Sequence, residues 1–96
     1  MKPSLAFAEN IEAIKAVIAR YSVRNPRLFG SVASGRDSEA SDIDLLVDAL
    51  PGTTLLDLCG LQDELADMLG VPVDVHTPKE ISPRYRDQVL ALARPI

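Results

Sequence analysis

The sequence predicts an α/β fold: a small mixed sheet of three or more strands flanked by helices, in the order α-β-α-β-α-β-α. Three observations carry that expectation. Apolar residues at helical spacing alternate along the chain with short apolar runs of strand length. Glycine and proline mark the boundaries between them. The 96 residues are enough for one domain, read as 1–96, and 47% hydrophobic against 25% charged residues is globular rather than disordered usage.

Each element follows from its own pattern. Phe7, Ile11, Ile14, Ile18 and Tyr21 recur at three- and four-residue steps, which predicts one amphipathic helix. Asn25-Pro26 ends it, because the residue before proline is pushed out of the helical region. Arg27-Leu28-Phe29 is a short strand stopped by Gly30, and a Gly/Ser-rich turn with a short helix follows to Gly35. Residues 36–41 read as a polar surface turn. Ile43 to Val47 is a second strand, apolar on both faces past Asp44 and so interior to the sheet. Thr54, with Asp57 three residues on, caps a helix whose apolar face is Leu55, Leu58, Leu61, Leu65, Met68 and Leu69. Gly70 stops it. Val71 to Val75 is a third strand, and the helical crossover before it makes it a parallel neighbour of the second. Ser82-Pro83 opens a last helix anchored by Val89, Leu90 and Leu92.

Composition removes several functional classes. Ten Lys and Arg against fourteen Asp and Glu give a net charge of −4, so a basic nucleic-acid footprint is absent and nucleic acid is disfavoured as a partner. One cysteine, Cys59, supports neither a disulfide framework nor a cysteine zinc site. No apolar run reaches the ~20 residues of a membrane span, and no signal-peptide pattern opens the chain. The expectation is a cytoplasmic protein with no membrane partner.

Chemistry concentrates between Phe29 and Asp48. Asp42 and Asp44 are two apart on a strand and leave the same face, while Ile43, Leu45 and Val47 enter the core. Two adjacent carboxylates at 4 Å cost about 4 kcal/mol at an effective dielectric of 20, so such a pair calls for a neutralising partner. A hard divalent cation, Mg²⁺ first, suits oxygen ligands. Asp74 stands between Val73 and Val75 on the third strand and points opposite to them. If the second and third strands are neighbours, Asp74 joins Asp42 and Asp44. Three such carboxylates can hold two Mg²⁺ ions roughly 3.5–4 Å apart, the separation used for displacement at phosphorus. Gly30 lets a backbone approach phosphate without an intervening Cβ, and Ser31 with the free N–H groups of the turn can donate to phosphate oxygens. Arg36 is the nearest cation.

A competing motif fails. Gly30 to Asp37 approaches the Walker A loop, but Arg36-Asp37 stands where Lys and then Ser or Thr are required, and Asp37 would repel phosphate. Asp42 alone reads as a turn residue, and Asp48 as solvated at a strand end. His76 shares the face of Asp74, yet a lone histidine at a strand end is more often structural or exposed. Cys59 reads as a buried inert thiol. Tyr21 and Tyr85 read as helix-packing residues, and Lys79 and Arg84-x-Arg86 as a solvated face.

Gly30-Ser31, ten intervening residues and Asp42-x-Asp44 match the GS-x10-D-x-D signature, and Asp74 in Val-Asp-Val takes the place of the third carboxylate. In these residues the chain resembles the DNA polymerase beta-like nucleotidyltransferase superfamily. Its size resembles the minimal nucleotidyltransferases (MNT), the antitoxin half of HEPN–MNT toxin–antitoxin pairs. The resemblance implies the nucleotidyltransferase fold over most of the chain. It implies that Gly30 and Ser31, with Arg36, bind the nucleotide, and that Asp42, Asp44 and Asp74 are the catalytic, metal-binding carboxylates for two Mg²⁺ ions. It implies transfer of AMP from ATP to a hydroxyl, a tyrosine of a HEPN toxin partner, in a hetero-oligomer with that toxin. Many relatives carry arginine where Ser34 stands; Arg36, two residues on, can supply that charge. The alternative, from a different class, is a non-catalytic antitoxin that neutralises its toxin by direct binding. Transfer to RNA or to a small molecule is a weaker third.

Overall fold

Asn10 divides the first apolar stretch. The computed structural model describes residues 1–96 and shows two helices, α1 (Pro3–Glu9) and α2 (Ile11–Ile18), where the spacing predicted one. The Asn10 amide donates to the Ala6 carbonyl at 2.8 Å and its N–H to the Phe7 carbonyl, so its side chain closes α1 rather than continuing it. The apolar periodicity survives the break because both helices turn the same face inward: Phe7, Ile14 and Ile18 are buried in one core. Tyr21 lies past the end of α2, half-buried against that core. Its hydroxyl donates to Glu64 at 2.8 Å, and Arg20 pairs with the same carboxylate.

The first strand is longer than predicted. β1 runs Val23–Phe29 and carries an irregularity between Arg24 and Arg27, where its antiparallel register with β2 (Ile43–Ala49) shifts. Asn25 adopts φ +53 there, a conformation that asparagine tolerates better than most residues. The irregularity accommodates Pro26, which cannot donate to a regular ladder. Arg27 is buried beside it, with its guanidinium on the Asn25 carbonyl at 2.6 Å and on Asp48 at 3.1 Å. Asp48 is therefore an ion-pair partner rather than a freely solvated residue. Burial alone would raise its pKa; the hydrogen bonds from Asn25 and Arg27 and the charges of Arg27 and Arg24 outweigh that and lower it.

The sheet has four strands in the order β3-β2-β1-β4. β3 is Val73–His76, parallel to β2 as the crossover rule required. β4 (Arg94–Pro95), absent from the sequence reading, pairs with β1 at its open edge. β2 is interior, with Ile43, Leu45, Leu46 and Val47 all fully buried. The short α3 (Gly30–Ser34) follows β1. α4 (Leu55–Leu69) has the expected capping box, Thr54 with Asp57, and ends on Gly70 at φ +70. Only Leu58, Leu61 and Leu65 of its predicted apolar face are buried; Leu55 is 70% exposed and Met68 40% exposed. Cys59 is exposed, because its position faces away from that stripe.

The last helix differs most from expectation. After a single 3-10 turn (Pro78–Glu80), α5 (Pro83–Leu92) buries none of its residues. Val89 is half-buried, but Leu90 and Leu92 are exposed and anchor nothing. Arg86 does the anchoring: its guanidinium donates to the carbonyls of Pro78 at 2.7 Å and Ile81 at 3.0 Å. No helix of the chain is long and apolar enough to cross a membrane.

Candidate active site

The parallel register of β2 and β3 sets Asp44 directly opposite Asp74. Ile43, Leu45, Val73 and Val75 carry the intervening side chains into the core, so both carboxylates leave on the other face and stay half-buried. Asp42 precedes β2 by one residue and keeps the parity of Asp44. The group is short of positive charge. The Asp74 carboxyl is pushed above the ordinary aspartate range, first by burial, then by the charges of Asp42 and Asp44. The geometry thus brings together the three acidic residues named from the sequence.

Gly30 explains its own identity. It sits at the junction of β1 and α3 with φ +76, and a Cβ built there would stand 2.5 Å from Oδ2 of Asp44. Any side chain would have to displace that carboxylate, so glycine lets the turn close over it. Ser31 follows on α3, half-buried; its carbonyl accepts from the Ser34 hydroxyl at 3.1 Å and the Arg36 N–H at 2.9 Å. These contacts shape the turn around Gly30.

Arg36 is exposed and lines a cleft of about 400 Å³ that adjoins Gly30. Phe29, Ala33 and Ser34 form the rest of its near wall; Gln88, Leu92 and Arg94 come from α5 and β4. The cleft is apolar with two guanidinium-bearing residues on its rim. Arg94 escaped the sequence reading because a two-residue edge strand has no pattern of its own. Asp37, singled out as hostile to phosphate, is engaged elsewhere: it accepts from the Ser4 N–H at 2.8 Å and caps α1, which has no side-chain cap of its own. That backbone hydrogen bond lowers its pKa against the opposing effect of its burial.

His76 stands beside the carboxylates and not as an isolated residue at a strand end. Its Nε2 faces Oδ1 of Asp44 at 3.8 Å, and its ring packs edge-on against Phe29 with centroids 5.4 Å apart. The interaction with the Asp44 side chain raises the imidazole pKa, although burial opposes it. One ligand atom each from Asp44, Asp74 and His76 lie within 4.8 Å of one another. This oxygen-rich donor set with excess negative charge fits a divalent cation.

Comparison with known proteins agrees with the geometry. The profile of the nucleotidyltransferase domain family matches residues 11–95. A relative from Methanocaldococcus jannaschii, named as a candidate protein adenylyltransferase, is 40% identical over 85 residues, covering 84% of this chain and 91% of its own length. The protein adenylyltransferase MntA of Thermococcus cleftensis is 38% identical over 72 residues, covering 70% of this chain and 73% of its own. Among solved structures, one described as a candidate minimal nucleotidyltransferase superposes with a TM-score of 0.85 at 41% identity, over 97% of this chain and 95% of that one. A toxin–antitoxin crystal structure with AMP-PNP superposes with a TM-score of 0.77 at 25% identity, over 90% of this chain and 71% of that one. With the fold, the facing carboxylates and the Gly30 turn in place, the chain belongs to the nucleotidyltransferase domain family and is an enzyme of the nucleotidyl-transfer class.

Proposed function

We propose that this chain transfers AMP from ATP, with Mg²⁺, to a tyrosine hydroxyl of a HEPN-type toxin and so acts as its antitoxin in the cytoplasm. The observation that carries the reading is the pairing of Asp44 with Asp74 across β2 and β3, with Gly30 closed over Asp44. Asp42, Asp44 and Asp74 would hold the two Mg²⁺ ions, which when bound stabilise charge on the attacking and leaving oxygens of an in-line displacement. The rest is the work of the chain's own residues. The turn at Gly30-Ser31 presents backbone N–H groups and the serine hydroxyl to the triphosphate, and Arg36 adds charge from the rim of the cleft. Asp74 is placed to take the proton of the acceptor hydroxyl as that oxygen bonds to the α-phosphorus and the bond to the departing pyrophosphate breaks. The fixed register of the paired strands β2 and β3 keeps the carboxylates in position, so catalysis comes from placement and preorganised charge.

Two likenesses support the choice of acceptor and partner: relatives named as protein adenylyltransferases, and a toxin–antitoxin structure that contains AMP-PNP. The acidic balance of the chain suits a partner with a basic face. The deciding experiment incubates the chain with labelled ATP and a HEPN-type toxin. Label should appear on a toxin tyrosine, and the double substitution Asp42→Ala with Asp44→Ala should abolish it. Full toxin neutralisation in cells by that double variant would instead establish antagonism by contact.

A further inference from the structure

The only imidazole of the chain stands beside the carboxylates, where an all-oxygen magnesium site has no use for it. β3 places His76 on the face of Asp74, two residues along the same strand. Its ring is held against the edge of Phe29 at an interplanar angle of 64°, which directs Nε2 toward Oδ1 of Asp44 at 3.8 Å. The ligand atoms of Asp44, Asp74 and His76 span at most 4.8 Å. A six-coordinate cation with bonds of about 2.1 Å separates opposite ligands by roughly 4.2 Å. Small side-chain rotations therefore bring all three onto one ion.

We propose that His76 is a nitrogen ligand of the cation site and biases it toward Mn²⁺, Co²⁺ or Zn²⁺ over Mg²⁺. Magnesium prefers oxygen donors and gives up its water reluctantly, whereas imidazole suits first-row transition ions. Two carboxylates and one imidazole on adjacent strands make a mixed donor set that distinguishes these classes. The contact with Phe29 fixes the ring in advance, so little rotamer freedom is lost when the ion binds. The inference rests on the carboxylate site proposed above and adds to it the choice of metal.

The test is calorimetric titration of the untagged chain with Co²⁺ and separately with Mg²⁺, without nucleotide, at about pH 8, above the ordinary imidazole range. His76→Phe keeps a ring against Phe29 and removes the donor. Co²⁺ affinity should fall about tenfold or more in that variant, while Mg²⁺ affinity changes by less than about twofold. The wild-type chain supplies an independent readout. With a single histidine, its imidazole ¹⁵N spectrum should show Nε2 at the shift of a ligated nitrogen with Zn²⁺ and at the free position with Mg²⁺. Equal Co²⁺ affinity in the two proteins, or an Nε2 resonance unmoved by Zn²⁺, would overturn the proposal. Neither toxin nor ATP enters these measurements, so their failure and a failure of AMP transfer are read separately.

Discussion

Asp74 shows how one residue links function to stability. Its carboxyl is held above the ordinary range because burial and two neighbouring carboxylates disfavour its charge. The sign follows: in the metal-free chain the charged form costs stability at neutral pH, and that cost disappears as pH falls through the raised pKa. Asp74→Asn should therefore raise the Tm of the metal-free chain at pH 7, with the gain shrinking toward acid. Thermal melts in a chelator across pH check this; a gain independent of pH would contradict it. Gly30 makes the opposite case. Gly30→Ala imposes both a left-handed backbone and a 2.5 Å approach to Asp44 Oδ2. It should cost about 1–3 kcal/mol in chemical denaturation and abolish AMP transfer. The Gly-Ser pair was legible in the sequence as a turn after the first strand; its contact with Asp44 was not, since the two residues come from different elements.

Among the elements, α5 is the least secured. It buries no residue, and its position depends on Arg86 reaching the carbonyls of Pro78 and Ile81 and on β4 pairing with β1 beyond it. Arg86→Ala should cost roughly 1–3 kcal/mol for these charge-assisted hydrogen bonds. It should also speed amide exchange in 83–92 far more than in α4, which hydrogen-exchange mass spectrometry resolves. Uniform acceleration over both helices would show that α5 is not a separate unit. The local signals of α4 were read correctly, because a capping box and a terminal glycine act within a few residues. The apolar residues of α5 misled, because helical spacing records which residues share a face and not whether anything covers it. The same limit applies to Leu55 and Met68 on α4, and to Asn10, whose side-chain bond to Ala6 split a periodicity that continued through it.

At the scale of the molecule, the sheet order β3-β2-β1-β4 puts the acidic strands side by side and the α5–β4 segment across the opening beside Gly30. A ligand bridging these parts should stabilise all of them. Mg²⁺ with a non-hydrolysable ATP analogue, at a hundredfold excess over its Kd, should add about 2.7 kcal/mol to the unfolding free energy. The Asp42→Ala, Asp44→Ala double variant should show no such gain in the same thermal scan. An equal gain in both proteins would place the nucleotide away from the carboxylates.

The sequence by itself determined the alternation of strands and helices, the parallel pairing of β2 with β3, and the candidate set Gly30, Ser31, Asp42, Asp44 and Asp74. Side-chain parity on a strand and the handedness of a crossover are local rules that need no partner. Tertiary structure alone decided that Asp44 and Asp74 face each other in register, that His76 turns toward Asp44, that Asp37 caps α1, and that Arg94 reaches the cleft from β4. Each of those contacts joins residues far apart in the chain. Their distances are set by how the core packs, which no spacing within one segment encodes.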